Sequence, residues 1–296
     1  MVLAGVLAIF LGCLIIGVPV VFGIILASGI PIVLDPAISI NQMASVILER
    51  LRSFPLYAIP LYILVGKLLS VGGIADDLVY ISRVLVGKIR GSLAHMNVVT
   101  SIFFAGISGS SVADVASLGT VLIPAMKKEG YDPEFSATLT AASATIGTII
   151  PPSILMIVYG AIAQTSIAAL FLGGIIPGVF VGLVQMGYAY GYAVRHDIGR
   201  SSDSEKITAP MVRAAVIKSI FPASIFFIII VGITSGVFTP TEAAGIAVVY
   251  VLFVLTVFYK RRNLKGYIDA FRKAVKDAAV IYFLIASASF LAWVLT

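Results

Sequence analysis

The chain has 296 residues, 60% of them apolar and only 11% charged, with a mean hydropathy of +1.10. Soluble domains run near 45–50% apolar and about 25% charged, so no soluble globule could cover this sequence with polar surface. The lone cysteine, Cys13, excludes a disulfide scaffold, and the net charge of +6 is scattered over short loops instead of gathered into a nucleic-acid groove.

Apolar runs of about 17–25 residues can cross a hydrocarbon core of about 30 Å as helices. Residues 2–27 read as the first such span; the run is too long, and lacks the basic start, for a signal peptide. An amphipathic surface helix at 38–53 follows, then a span at 55–71 and a second amphipathic stretch at 74–90. Lys67 sits inside that span and can snorkel toward the interface. Two regions then break the pattern. Residues 92–126 are apolar at both ends but interrupted by Gly106-Ile107-Ser108-Gly109-Ser110-Ser111-Val112-Ala113-Asp114. Residues 134–162 are interrupted by Thr145-Ile146-Gly147-Thr148-Ile149-Ile150-Pro151-Pro152-Ser153. A backbone break at membrane depth leaves peptide groups without helical partners, which protein or a water-filled cavity must satisfy. Such breaks mark binding sites.

Spans at 168–194, 219–233 and 243–259, a surface helix at 264–276 and a span at 278–294 complete the chain. Asp132-Pro133-Glu134 and Thr239-Pro240-Thr241-Glu242 carry the capping residue, proline and glutamate of helix starts, so these acids read as caps and not as proton carriers. Cys13 reads as a small core residue, and His95 as interfacial. Trp293, Tyr188, Tyr190 and Tyr192 suit aromatic belts.

If residues 92–126 enter and leave on one side, seventeen Lys and Arg fall on one face of the membrane and two, Arg50 and Arg52, on the other. That asymmetry puts the amino terminus, the hairpin mouth and the loop at 195–218 in the cytoplasm. A full crossing would set Arg83, Lys88 and Arg90 against the remaining basic loops. The count therefore favours a re-entrant hairpin. The order span, surface helix, span occurs at 2–27, 38–53 and 55–71, and again, in opposite orientation, at 243–259, 264–276 and 278–294. Inverted repeats are the plan of many secondary transporters, which hold substrate between discontinuous helices. The repeat predicts a second hairpin and a second broken helix after residue 296, so the sequence is expected to be the front two-thirds of a longer protein.

Four motifs carry a resemblance. The hairpin sequence from Phe104 to Asp114, Ile123-Pro124-Ala125-Met126-Lys127-Lys128-Glu129-Gly130-Tyr131, Thr145-Ile146-Gly147 with Ile150-Pro151-Pro152-Ser153, and Thr239-Pro240-Thr241-Glu242-Ala243-Ala244, in that order, resemble the large membrane subunit of TRAP (tripartite ATP-independent periplasmic) transporters. The resemblance implies an all-α polytopic inner-membrane protein of the elevator type. It implies sodium-coupled import of a small organic anion, such as a C4-dicarboxylate or sialic acid, with a small four-helix membrane subunit and a periplasmic substrate-binding protein. No cofactor beyond the coupling sodium ion is expected. The expected division is scaffold at 1–91, transport elements at 92–165, connecting spans at 166–239, and the scaffold of an incomplete second repeat at 240–296.

Sodium needs several oxygen ligands, which hydroxyls and unwound carbonyls supply. The expected ion site joins Ser108, Gly109, Ser110 and Ser111 at the hairpin tip to Thr145, Gly147 and Thr148 at the second break. Close packing of small residues is the competing account. The substrate carboxylate is expected at the same tips, against helix amino termini, with Ser110, Ser111, Pro151 and Pro152. Asp114 could serve an ion or a proton, or cap the returning helix. A single-component dicarboxylate or citrate carrier is the alternative within transport. An intramembrane hydrolase with Ser110 or Ser111 as nucleophile is more distant, because no histidine or lysine stands ready as base.

Overall fold

A computed structural model describes residues 2–34, 40–198, 207–260 and 263–295. Ile38, Arg200, Lys206, Arg261 and Arg262, all used in the sequence reading, lie outside the described residues. Every regular element among those described is helical. Contacts divide the chain into two units, one of residues 1–56 with 275–296 and the other of residues 57–274.

In the first unit, the expected single span at 2–27 is two helices, α1 (Val2–Ile15) and α2 (Val20–Leu34), packed on each other. The stop is written at Gly17. Its φ of +84° is one that glycine adopts at no steric cost, the Val18 and Gly17 amides donate to the Cys13 and Leu14 carbonyls at 2.9 and 3.1 Å, and Pro19 follows. Each helix is only about 21 Å long at 1.5 Å per residue. The single crossing expected at 2–27 is thus replaced by a pair of shorter apolar helices. α3 (Ile40–Leu51) is the amphipathic helix expected within 38–53. The last part of α13 (Leu264–Leu295) also belongs to this unit, with Phe283 edge-on to Phe22 and the Tyr282 hydroxyl donating to the Leu56 carbonyl at 3.0 Å. The surface helix at 264–276 and the span at 278–294 are thus one uninterrupted helix, because neither glycine nor proline follows Gly266 within it. The two copies of the sequence repeat therefore differ in their elements.

The second unit begins with α4 (Ala58–Val71), after the 3-10 turn Phe54–Tyr57. There follow α5 (Ile74–Val86), α6 (Ser92–Ser108), α7 (Ser111–Lys128), α8 (Pro133–Ala144), the 3-10 turn Thr145–Thr148, α9 (Ile154–Ile162), α10 (Ile167–Arg195), α11 (Ala209–Thr234) and α12 (Pro240–Val257). Among the described residues, five helical stretches are long and apolar enough to cross a membrane: Phe54–Val71, Ile167–Arg195, Ala209–Thr234, Pro240–Val257 and Leu264–Leu295. The chain is therefore a polytopic membrane protein.

α6 lies at the centre, in contact with α5, α7, α8 and α10. α4 runs against α12, where the Tyr62 hydroxyl donates to the Pro240 carbonyl at 3.2 Å. α5 is tied to α11 and to the end of α12 through Asp77, which accepts from Lys218 Nζ at 2.6 Å and from the Tyr259 hydroxyl at 2.7 Å. Both expected helix starts are in place. Asp132 accepts from the Glu134 amide at 2.7 Å, and Thr239 and Glu242 form a reciprocal capping box.

Candidate functional site: two helix breaks in contact

α6 and α7 form the expected hairpin, and Gly109 makes its turn. Its φ of +61° suits glycine, and a Cβ there would stand 2.4 Å from the carbonyl oxygen of Pro152, so the turn excludes any other side chain twice over. Ser110 is the N-cap of α7 and accepts from the Ala113 amide at 3.4 Å, while the Ser110 amide donates to Ser108 Oγ at 3.4 Å. The sequence allowed this cap to Asp114; the structure gives it to Ser110.

The second break is built as tightly. α8 tightens into the 3-10 turn Thr145–Thr148, and the Ile149 and Ile150 amides both reach back to the Ile146 carbonyl, at 2.9 and 2.8 Å. Pro151 and Pro152, joined by a cis peptide, offer no amide protons. Ser153 then closes the gap: its hydroxyl donates to the Thr148 carbonyl at 2.7 Å and accepts from the Met156 amide at 3.3 Å as the N-cap of α9.

The breaks meet directly. The Ile154 amide, first in α9, donates to the Gly109 carbonyl at 3.4 Å. Gly106 approaches the Pro151 carbonyl, where a Cβ would stand at 3.7 Å, and Gly66 of α4 lies against Ser108, where a Cβ would stand at 3.2 Å. Ser108, Gly109, Pro151, Pro152 and Ser153 are buried, and Ser110 and Ser111 are half-buried at the rim. The amino-terminal ends of α7 and α9 are thus held together, alongside the ends of α6 and of the Thr145–Thr148 turn. Exposed amides of helix starts suit an anion, and carbonyls of helix ends suit a cation.

The other expected ligands stand differently. Thr145 and Thr148 give their hydroxyl protons to the Ala142 and Thr145 carbonyls, both at 2.7 Å, which leaves each oxygen able to accept or coordinate. Gly147 is buried inside the turn. Asp114 is buried, and neither of its carboxylate oxygens has a hydrogen-bond partner. His95 is buried and turned inward, its Nδ1 on the Gly91 carbonyl at 2.9 Å and its ring edge-on to Tyr190. A cavity of about 610 Å³ between α8 and α10, lined by Phe135, Gln185, Tyr192 and His196 among others, lies outside these breaks.

Two features escaped the sequence reading. Ser153 carries a signal that could have been read, a serine between two prolines and an apolar helix. The other is a stripe on α10, Gly174, Gly178 and Gly182. Cβ atoms there would stand 2.3 Å from the Ile149 carbonyl, 2.4 Å from Ile150 Cγ1 and 2.7 Å from Ile102 Cδ1. Its four-residue spacing is legible, and it seats the second break against a helix backbone.

Helices of membrane length, with a hairpin tip locked onto an interrupted helix, define the chain as a polytopic membrane protein with paired helix breaks. Residues 7–296 match the family described as "Tripartite ATP-independent periplasmic transporter, DctM component", and the chain belongs to it as a TRAP large permease subunit. It is 40% identical over 284 residues to the uncharacterized protein YgiK of Salmonella typhimurium, covering 95% of this chain and 64% of that protein. It is 35% identical over 291 residues to the sialic acid TRAP transporter large permease protein SiaM of Vibrio cholerae, covering 96% and 66%. It is also 35% identical over 271 residues to the C4-dicarboxylate TRAP transporter large permease protein DctM of Pseudomonas aeruginosa, covering 92% and 63%. The chain thus spans about two-thirds of the length of these relatives.

Proposed function

We propose that this chain forms part of a sodium-coupled importer of small organic anions in the bacterial inner membrane. The observation that carries the reading is the contact between the two breaks, Ile154 amide to Gly109 carbonyl. Two interruptions that satisfy each other at membrane depth are expected only where a site has to be built, because each costs unpaired backbone. The sodium ion is held by Ser108, Gly109, Ser110 and Ser111 from the hairpin and by Thr145, Gly147 and Thr148 from the turn. The free lone pairs of the two threonines support this set. The substrate carboxylate sits against the amino-terminal ends of α7 and α9 with Ser110, Ser111, Pro151 and Pro152, where helix-start amides favour an anion. SiaM and DctM, both named for carboxylate substrates, support that class.

Transport proceeds by an elevator movement of the elements at 92–165 against the scaffold, with a small membrane subunit and a periplasmic binding protein that delivers substrate. Ser110→Ala and Ser111→Ala in the full-length transporter, reconstituted in vesicles with its partners, raise the sodium concentration for half-maximal uptake several-fold. An unchanged sodium dependence removes the site.

A further inference from the structure

Asn97 joins three helices with one side chain. It stands on α6, fully buried, and its Nδ2 donates to Thr140 Oγ1 of α8 at 2.7 Å and to Met126 Sδ of α7 at 3.6 Å. A thioether can only accept, so the amide nitrogen faces Met126, and Oδ1 is left to accept from Ser143 Oγ of α8 at 3.0 Å. Both halves of the amide are thereby used. The α8 hydroxyls are held in turn: Thr140 Oγ1 donates to the Ser136 carbonyl at 2.7 Å, and Ser143 accepts from Ser101 Oγ, one turn further along α6, at 3.0 Å. All of these residues are buried.

The surface they cross is smooth. From Thr140 to Ala144 every side chain of α8 is Thr, Ala or Ser. Small side chains let helices approach closely but offer shallow ridges against sliding. A slip of α8 by one turn, about 5.4 Å, would set Asn97 against Ala144 and Gly147 in one direction and against Ser136 and Leu139 in the other. Neither register restores both partners, and a buried amide without them is costly. A single buried asparagine fixes the register of paired helices in the same way. The consequence reaches the breaks, because Ser143 lies two residues before the Thr145–Thr148 turn and α6 runs unbroken from Asn97 to Ser108 at the hairpin tip.

We propose that Asn97 is a positioning residue that sets the register of the hairpin against α8, and through it the meeting of the two breaks. Its effect on sodium rests on the function proposed above; the register itself does not.

The test uses the full-length transporter purified with its partners. Asn97→Leu nearly keeps the volume and strands no proton, because Thr140 and Ser143 retain the Ser136 and Thr140 carbonyls as acceptors. Val251→Ala, which opens a cavity on α12 where it packs on α4 and α11, controls for plain loss of stability. Hydrogen exchange read by mass spectrometry follows the amides of 106–111 and 145–154. They exchange several-fold faster in Asn97→Leu than in wild type, and at the wild-type rate in Val251→Ala. Wild-type protection of both segments in Asn97→Leu, or an equal loss in the control, overturns the proposal. If Asn97→Leu does not fold, Ser143→Ala decides by the same two outcomes. This reading needs no transport. In vesicles, Asn97→Leu raises the sodium concentration for half-maximal uptake several-fold while the maximal rate stays near wild type; a fall in maximal rate alone overturns the role at the site. A wild type whose uptake ignores sodium sinks the function proposed above and leaves the exchange result standing.

Discussion

Gly109 concentrates the demands of the site in one residue. Its left-handed φ of +61° costs a non-glycine residue about 1–2 kcal/mol, and the Pro152 carbonyl would stand 2.4 Å from any Cβ. Neither the turn nor the double-proline segment can yield alone, since the Ile154 amide and the Gly109 carbonyl join them. Gly109→Ala is therefore expected to lower thermal stability by more than the backbone cost alone, and to abolish uptake. Thermal unfolding of the purified protein measures the first; a variant that melts like wild type would show that the two breaks do not depend on this contact. Ser153 acts beside it in another way, as cap of α9 and as partner for the Thr148 carbonyl that the break would otherwise leave open.

At the scale of elements, α10 is a helix with two characters. Gly174, Gly178 and Gly182 form a face onto which Ile149, Ile150 and Ile102 press, whereas a Cβ on Gly173, Gly187 or Gly191 meets nothing within 4 Å. Gly174→Ala places a methyl 2.3 Å from a backbone oxygen, which cannot move aside like a side chain. It is expected to destabilise the protein although alanine is the better helix former. Gly187→Ala, free of such contact, should be neutral or stabilise by up to about 1 kcal/mol. Melting temperatures of the two variants, measured side by side, check the contrast; equal shifts would sink it.

At the scale of the whole molecule, the basic residues give a directional prediction. Single cysteines introduced at Arg195 and at Arg50, in a Cys13→Ala background, should react with an impermeant maleimide from opposite faces, Arg195 from the cytoplasm. Labelling of both from one face would cancel the charge count. Most of the fold was legible in this way: the spans at 168–194, 219–233 and 243–259 lie within or nearly on α10, α11 and α12, and the interruptions at 106–114 and 145–153 contain the real breaks. Two misreadings had opposite local causes. Hydropathy averaged over Gly17, whose left-handed turn split one expected span into α1 and α2. It also divided α13 at a change in polarity where the backbone has no reason to stop.

Local chemistry settles where helices begin, end and break, because glycine, proline and capping hydroxyls act on neighbouring amides within a few residues. The sequence by itself thus determined the membrane class, the breaks, the hydroxyls gathered there and the family resemblance. Pairing across the chain is another matter. That Gly109 meets Pro152 and Ile154, that Gly174 seats Ile149, and that Asn97 bonds Thr140, depend on contacts up to 45 residues apart. Only tertiary packing brings those groups within ångströms of each other, and the direction of each hydrogen bond is fixed only when all its neighbours are in place.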